Sequence, residues 1–301
     1  MWVIGTHKDT LEEFCNSISY ILSYSTVLES MYNKPGNASR YRDIKSVKFE
    51  DLISSALIMK DYYKDLCIKG YNKRRPIFDS LYYAVLKSKE MGINFSILGT
   101  ALQLIPLSFS SLTTSLEDAI KKASITIRTL DERDSFYFSK TLSLLNLSYL
   151  GFNEKVDYRE MADKPLYEIL VYSSKIDSSV KNMLEDYRYS FKVSDYIEKL
   201  GVQEGVIKGF LHVLCELPDG LIYRKHGGRV AIEVSNYACE VIKNPSLLGE
   251  FDKYLIQNNL NPGSTADIVA VGIALNKLRE WYDKNSLNYS RALQRGCDRI
   301  P

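Results

Sequence analysis

Features that would place this chain in a specialised class are scarce. Its 301 residues include only eight prolines and no low-complexity run that would form a linker. The most apolar stretch, 97–109, is interrupted by Gln103 and Pro106 and is shorter than the roughly 20 residues that span a bilayer. The first ten residues carry His, Lys and Asp, unlike a secretory leader. We therefore expect no membrane association and a cytoplasmic protein.

Strong charge and metal-type cysteine spacing are also missing. The 39 basic and 37 acidic residues leave a net charge of +2, which gives no field suited to a polyanion, so nucleic acid is not expected as a partner. The five cysteines form no Cys-x-x-Cys pair and lack nearby histidines. They are Cys15, Cys67, Cys215, Cys239 and Cys297. We expect scattered free thiols in a reducing compartment.

Apolar residues recur at helical spacing along nearly the whole chain, and the 45% apolar content is enough for a sizeable core. The spacing predicts helices at 11–33, 49–70, 77–90, 97–109, 116–130, 136–147, 166–173, 180–191, 203–217 and 266–278. The strand signal is confined to 228–234, which also fits a helix start. We predict an all-α fold, one multi-helix domain over 1–301 with ligand-binding interhelical loops, and a loose tail from Asn285.

The first of three polar loops lies at 34–43. Lys34, Arg40 and Arg42 bring three cations into ten residues, and Gly36 permits close backbone approach. One interpretation is a phosphate clamp that also carries Asp43. The other is an ordinary solvated connection between helices, which a short basic loop alone favours.

The second loop, at 217–228, follows a turn carboxylate with a cationic triplet. Asp219 could hold a metal ion or act as a base, while Arg224, Lys225 and His226 could hold phosphates. A turn aspartate before a basic helix end is an equally good interpretation.

The third loop, at 261–267, opens the last helix. Ser264 is the expected N-cap, and Asp267 at the third helical position would complete a capping box. Alternatively, Asn261, Gly263 and the positive helix end form a phosphate seat. A carboxylate there would repel a phosphate unless Mg²⁺ joined the two, so a functional Asp267 implies magnesium.

The third loop resembles a known signature. Asn-Pro-Gly-Ser-Thr-Ala-Asp-Ile, from Asn261, is similar to the Asn-Pro-Gly-(Gly/Ser/Thr)-(Ser/Thr)-Ala-Asp-Leu motif of the triphosphoribosyl-dephospho-coenzyme A synthase family. Lys34-Pro-Gly-Asn and the Arg-Tyr-Arg-Asp after it resemble the family's Pro-Lys-Pro-Gly segment. Pro218-Asp219 with Arg-Lys-His-Gly from Arg224 resembles its Asp-Thr-x-x-x-Arg-Lys-His-Gly stretch. Three ordered motifs between Leu28 and Ala274 make chance agreement improbable.

The resemblance implies an all-helical transferase that moves the triphosphoribosyl group of ATP to the ribose 2′-hydroxyl of dephospho-CoA, or of a related acceptor, and releases adenine. By analogy, Asp43, Asp219 and Asp267 would be catalytic, with Asp219 and Asp267 binding Mg²⁺. The phosphate- and nucleotide-binding residues would be Lys34, Gly36, Arg40, Arg42, Arg224, Lys225, His226, Asn261, Gly263 and Ser264. Formation of a homo-oligomer stays open.

Three family segments are altered, and one of them, Gly-x-His-x-Asp-Met-Asp, is reduced here to Arg-Tyr-Arg-Asp at 40–43. The family's Pro-Gly-Gly-Leu-Gly corresponds to Leu-Ser-Tyr-Leu-Gly at 147–151, and its Asn-Thr-x-x-Gly corresponds to Ser-Ile-Leu-Gly ending at Gly99, with Asn94 one place early. These changes keep two alternatives open: a nucleotide-binding relative with altered catalysis, and a helical interaction protein without a ligand. The three catalytic candidates should converge on one cleft if the first function holds.

Overall fold

The all-α prediction is confirmed by a computed structural model, which describes residues 7–147 and 161–297. Within them lie fourteen α-helices, two 3-10 turns and no β-sheet. The helices are α1 His7–Met31, α2 Phe49–Tyr71, α3 Asp79–Glu90, α4 Leu98–Phe109, α5 Leu116–Arg128, α6 Glu132–Leu145, α7 Leu166–Ser173, α8 Ser178–Leu184, α9 Arg188–Leu200, α10 Val202–Glu216, α11 Gly220–His226, α12 Gly228–Lys243, α13 Leu248–Gln257 and α14 Gly263–Cys297. No helix in these segments is long and apolar enough to cross a membrane.

Ten helices were predicted and fourteen are found in the described segments: α11, α12 and α13 lie where no helix was predicted, apart from the ambiguous segment 228–234, and one predicted helix is divided. The helix predicted at 180–191 is two helices, because Asp186 and Tyr187 adopt positive φ (54° and 62°) and reverse the chain. The buried Asn182 accepts hydrogen bonds from the N–H groups of Tyr189 and Ser190, which stabilises this turn. Helix α14 continues to Cys297, well past the predicted 266–278 and through the segment from Asn285 that was expected to be a tail. The ambiguous segment 228–234 is helical.

Two apolar clusters form the core, and α14 contributes to both. The first cluster gathers residues of α1–α8, and the second gathers residues of α9–α13. Ile268 and Ile273 of α14 lie in the second cluster, whereas Val271 and Leu278 lie in the first. Because one helix contributes side chains to both clusters, its N-terminal end is held from two sides.

The expectation of scattered free thiols is wrong for four of the five cysteines. Cys15 of α1 is bonded to Cys67 of α2, and Cys215 of α10 is bonded to Cys239 of α12. The pairs are 52 and 24 residues apart in sequence, but packed neighbouring helices bring their Cα atoms to 5.5 and 4.8 Å. Helix pairing cannot be deduced from cysteine spacing, which explains the error. The cytoplasmic location remains a prediction without support from free thiols.

Candidate active site

A cleft of about 500 Å³ lies at the N-terminal ends of α4, α8 and α14. Its polar lining includes Glu29, Asn37, Thr100, Asp177, Arg224, Lys225, Asn261, Ser264 and Asp267. Its apolar lining includes Phe95, Leu98, Leu102, Phe138, Leu142, Leu145, Ile169 and Leu170. A cleft lined by both charged and apolar side chains suits a ligand that has a polyanionic part and a less polar part.

Asp267 is a cleft carboxylate with few hydrogen-bond partners. Its Oδ1 accepts a hydrogen bond from Thr100 Oγ1 at 2.6 Å, the one donor to it among the residues described. The capping box expected for Asp267 is therefore absent. Desolvation raises the pKa of Asp267 to about 8, and the carboxylates of Glu29, Asp177 and Asp219 add to the shift. At neutral pH this group holds a proton that it can exchange.

Gly99 explains how Asp267 fits against α4. A Cβ at Gly99 would lie 2.1 Å from Asp267 Oδ2, closer than non-bonded carbon and oxygen atoms can approach. The glycine that survives from the altered Asn-Thr-x-x-Gly segment therefore leaves room for this position of the aspartate of a different motif. Ser96 and Thr100 also line the cleft, so this segment keeps hydroxyl groups at the site.

Asp219 is fully buried and has a different hydrogen-bonding pattern. Its Oδ1 accepts the N–H groups of Leu221 and Ile222, at 2.9 and 3.0 Å. Its Oδ2 accepts the N–H and the hydroxyl of Thr265, at 2.7 and 2.9 Å. Burial raises its pKa to about 6, against the lowering effect of these donors. Asp219 thus joins the first turns of α11 and α14, and no oxygen remains for substrate or metal.

Ser264 is not the N-cap that the sequence suggested. Helix α14 begins at Gly263, so Ser264 lies inside the first turn, and the side chain that caps this end is Asp219 from another loop. Asn261, Gly263 and Ser264 line the cleft, as expected for a phosphate seat.

The second loop supplies the cations of the cleft. Arg224 pairs with Asp177 at 2.9 Å and donates to Ser173 Oγ at 3.2 Å. Lys225 lines the cleft, and desolvation lowers the pKa of its ammonium group, opposed by the Asp219 carboxylate. His226 does not line the cleft, although it was expected to bind phosphate.

The cations of the first loop are used internally. Lys34 is fully buried, where its Nζ lies 2.8 Å from Glu29 Oε1 and donates to two backbone carbonyls. Arg42 makes two hydrogen bonds to Asp252 of α13, one of them at 2.5 Å, and the N–H of Gly36 donates to the same carboxylate at 2.9 Å. Lys34 thus fixes the loop to the end of α1, and Gly36 and Arg42 fix it against α13. Lys34, Gly36 and Arg42 do not line the cleft.

Arg40 and Asp43, the remaining candidates of this loop, are exposed and lie outside the cleft. Arg40 packs over the ring of Tyr41, 4.7 Å from its centroid. Asp43 accepts the N–H of Phe49 at 2.8 Å and so satisfies the first turn of α2. The three aspartates thus do not converge on the cleft as expected. Asp267 lines the cleft, Asp219 is buried outside its lining, and Asp43 is on the surface.

Several polar residues of the cleft were missed, among them Glu29, Asn37, Thr100 and Asp177. Asp177 could have been noticed as an N-cap, since it precedes two serines and accepts N–H groups at the start of α8. Glu29 lies in the last turn of the amphipathic helix α1, where a buried acid gives no local signal. Of the altered segment 147–151, only position 147 lies within the described residues.

The carboxylates do not fit a magnesium ion held by the protein alone. Across 7–147 and 161–297, no three His, Cys, Asp or Glu side chains are grouped to hold a metal. Asp219 has its oxygens occupied, and Asp177 is engaged by Arg224 and by the start of α8. Asp267 is left as a single carboxylate, so we derive no catalytic step through a protein-held metal.

The comparisons with known proteins agree with the motifs. Residues 15–286 match the family CitG, ATP:dephospho-CoA triphosphoribosyl transferase, and the chain belongs to this family. A crystal structure from Archaeoglobus fulgidus, provisionally assigned as a triphosphoribosyl-dephospho-CoA synthase, has the same fold. It is 23% identical, with a TM-score of 0.63, and the match covers 76% of this chain and 99% of that one. No curated protein matches the chain.

Proposed function

We propose that this protein transfers the triphosphoribosyl group of ATP to the 2′-hydroxyl of dephospho-CoA or a related acceptor. The observation that carries the proposal is Asp267, a carboxylate in a cleft whose pKa of about 8 is close to the working pH of a cell. A general base is most effective when its pKa lies near the operating pH. Asp267 is therefore suited to remove the proton of an attacking hydroxyl.

The triphosphate would lie at the first turn of α14. The dipole of a helix N-terminus favours an anion, and Gly263 and Ser264 of this turn line the cleft, while the N–H of Thr265 is already bound by Asp219. Arg224, which is paired with Asp177, and Lys225 are the cations that line the same cleft among the described residues. Magnesium would enter as a complex with the phosphates of ATP, a form that needs few protein carboxylates.

The reaction exchanges one bond at C1′ of the ATP ribose. The bond from C1′ to N9 of adenine breaks, and a bond forms from C1′ to the acceptor oxygen. Asp267 accepts the hydroxyl proton, and adenine leaves with the bonding electron pair and takes up a proton from solvent. The sugar carries positive charge in the transition state, as in glycoside cleavage. The carboxylates of Glu29 and Asp177, which line the cleft, would stabilise this charge.

Adenine release tests the proposal directly. Purified protein with ATP, Mg²⁺ and dephospho-CoA should release adenine and form the 2′-triphosphoribosyl product, detected by chromatography and mass spectrometry. Omission of the acceptor is the matched control. Folded protein that binds ATP, seen as a higher melting temperature, but releases no adenine would instead support the nucleotide-binding relative. Absence of both signals would contradict any ATP-dependent function.

A further inference from the structure

Asn37 lines the cleft and carries an unsatisfied polar atom. The residue is 4% exposed, and its Nδ2 donates to Asn261 Oδ1 at 2.7 Å. Its own Oδ1 is buried and accepts no hydrogen bond from any residue that the structure describes. Buried side-chain oxygens are nearly always hydrogen-bonded in folded proteins. An unpaired acceptor on the wall of a cleft is therefore a candidate contact for a ligand.

The surrounding loop holds Asn37 in place. The Asn37 carbonyl accepts from Arg42 Nε at 3.4 Å, and its N–H donates to the Lys34 carbonyl at 3.2 Å. Both neighbours are fixed in turn, Lys34 by Glu29 and Arg42 by Asp252. The cations that the sequence suggested as a phosphate clamp thus position an amide group. Such a supported side chain can recognise a ligand without losing freedom on binding.

We propose that Asn37 recognises a ribose hydroxyl of the nucleotide substrate. Oδ1 is an acceptor, so its partner must be a donor, and phosphates at neutral pH offer none. Asn261, its hydrogen-bonded neighbour, lies two residues before Gly263 at the start of α14, where the triphosphate is proposed to lie. The sugar is the group joined directly to those phosphates. This inference rests on the proposed function and specifies which part of ATP the first loop reads.

The test compares nucleotides that differ by one donor group. The probes are ATP, 2′-deoxy-ATP, 3′-deoxy-ATP and inosine triphosphate, with dissociation constants measured by calorimetry. The native protein should bind one of the two deoxy analogues about three- to tenfold more weakly than ATP, the value of one hydrogen bond. Inosine triphosphate lacks the amino group of adenine, and substitution of Asn37 should not change its affinity relative to that of ATP.

Asn37→Ala should remove the preference between ATP and the discriminated deoxy analogue. Asn276→Ala is the matched control, because Asn276 is 5% exposed, also has an unpaired Oδ1, and lies outside this cleft. That variant should keep the native preference. If Asn37→Ala fails to fold, Asn37→Ser serves instead, since its hydroxyl offers a donor to Asn261 but is too short to replace the amide oxygen.

Three results would overturn the inference. The native protein could bind ATP and both deoxy analogues equally, or the preference for ATP over a deoxy analogue could survive in the Asn37 variants. The third result is that Asn37→Ala changes the affinity for inosine triphosphate relative to ATP and leaves the preference among the sugars unchanged. Each of these results is interpreted only when the native protein binds ATP and releases adenine, so the proposed function would stand in all three cases. A native protein that neither binds ATP nor releases adenine would overturn the proposed function itself.

Discussion

Asp219 and Asp267 are the same type of residue at the start of neighbouring helices, yet their surroundings differ. Four donors point at Asp219, three backbone N–H groups and one hydroxyl. One donor, the Thr100 hydroxyl, points at Asp267. Burial raises the pKa of both, to about 6 and about 8. The difference teaches that the number of donors separates a structural aspartate from a reactive one at this site.

The same comparison has an energetic side. The four donors offset much of the cost of burying the Asp219 charge, and in return it stabilises two helix ends. Asp267 is stabilised less and lies near other acids, so its ionised form destabilises the folded chain. Groups retained at a cost in stability are concentrated at functional sites.

The largest effect that would sharpen this contrast is expected for Asp267→Asn. An amide cannot accept the hydroxyl proton, so kcat should fall on the order of 10³-fold. The raised pKa of Asp267 means that stability present near pH 4 is lost as pH rises towards 8. The variant lacks this loss, so its melting temperature at pH 8 should equal or exceed that of the native protein. Retained turnover would show that Asp267 is not the base.

Asp219→Asn should behave in the opposite way. An amide has only one oxygen, so its NH₂ group would face N–H donors at the start of α11 or α14. We expect a loss of about 2–4 kcal/mol in the free energy of unfolding, measured by urea denaturation. Turnover should follow the folded fraction. A variant with unchanged stability and no turnover would break the comparison and make Asp219 a catalytic residue.

Much of the fold was predictable because apolar spacing reports directly on helix faces; the helix at 166–173 was located to the residue. The pairing of helices was not, which is why the bonds of Cys15 and Cys215 were missed. At the site, the motif around Asp267 was recognisable, but the partners that define its chemistry come from distant segments. Thr100 is 167 positions away from it, and Asp219 binds an N–H 46 positions away. Local patterns carry no information on such contacts.

A moderate effect is expected for Thr100→Val, which keeps the shape of the side chain and removes the donor. If Asp267 must be ionised, kcat/KM of the native protein should rise with pH through about 8. The Thr100 hydrogen bond lowers the pKa of Asp267, so its loss should move this rise to higher pH. At pH 7 the variant should be about tenfold slower. A profile of kcat/KM from pH 6 to 10 checks the shift, and Ser96→Ala, at another hydroxyl residue that lines the cleft, is the control.

The smallest effect is expected for Asp43→Ala. This exposed carboxylate accepts one N–H at the start of α2 and lies outside the cleft, so its removal should cost about 1 kcal/mol of stability and leave kcat unchanged. Asp43→Asn retains an acceptor and should restore most of the loss. The measurements are urea denaturation and adenine release on all three proteins. A fall in kcat beyond tenfold in both variants would return Asp43 to the catalytic group, and donor count would then no longer separate reactive from structural aspartates in this chain.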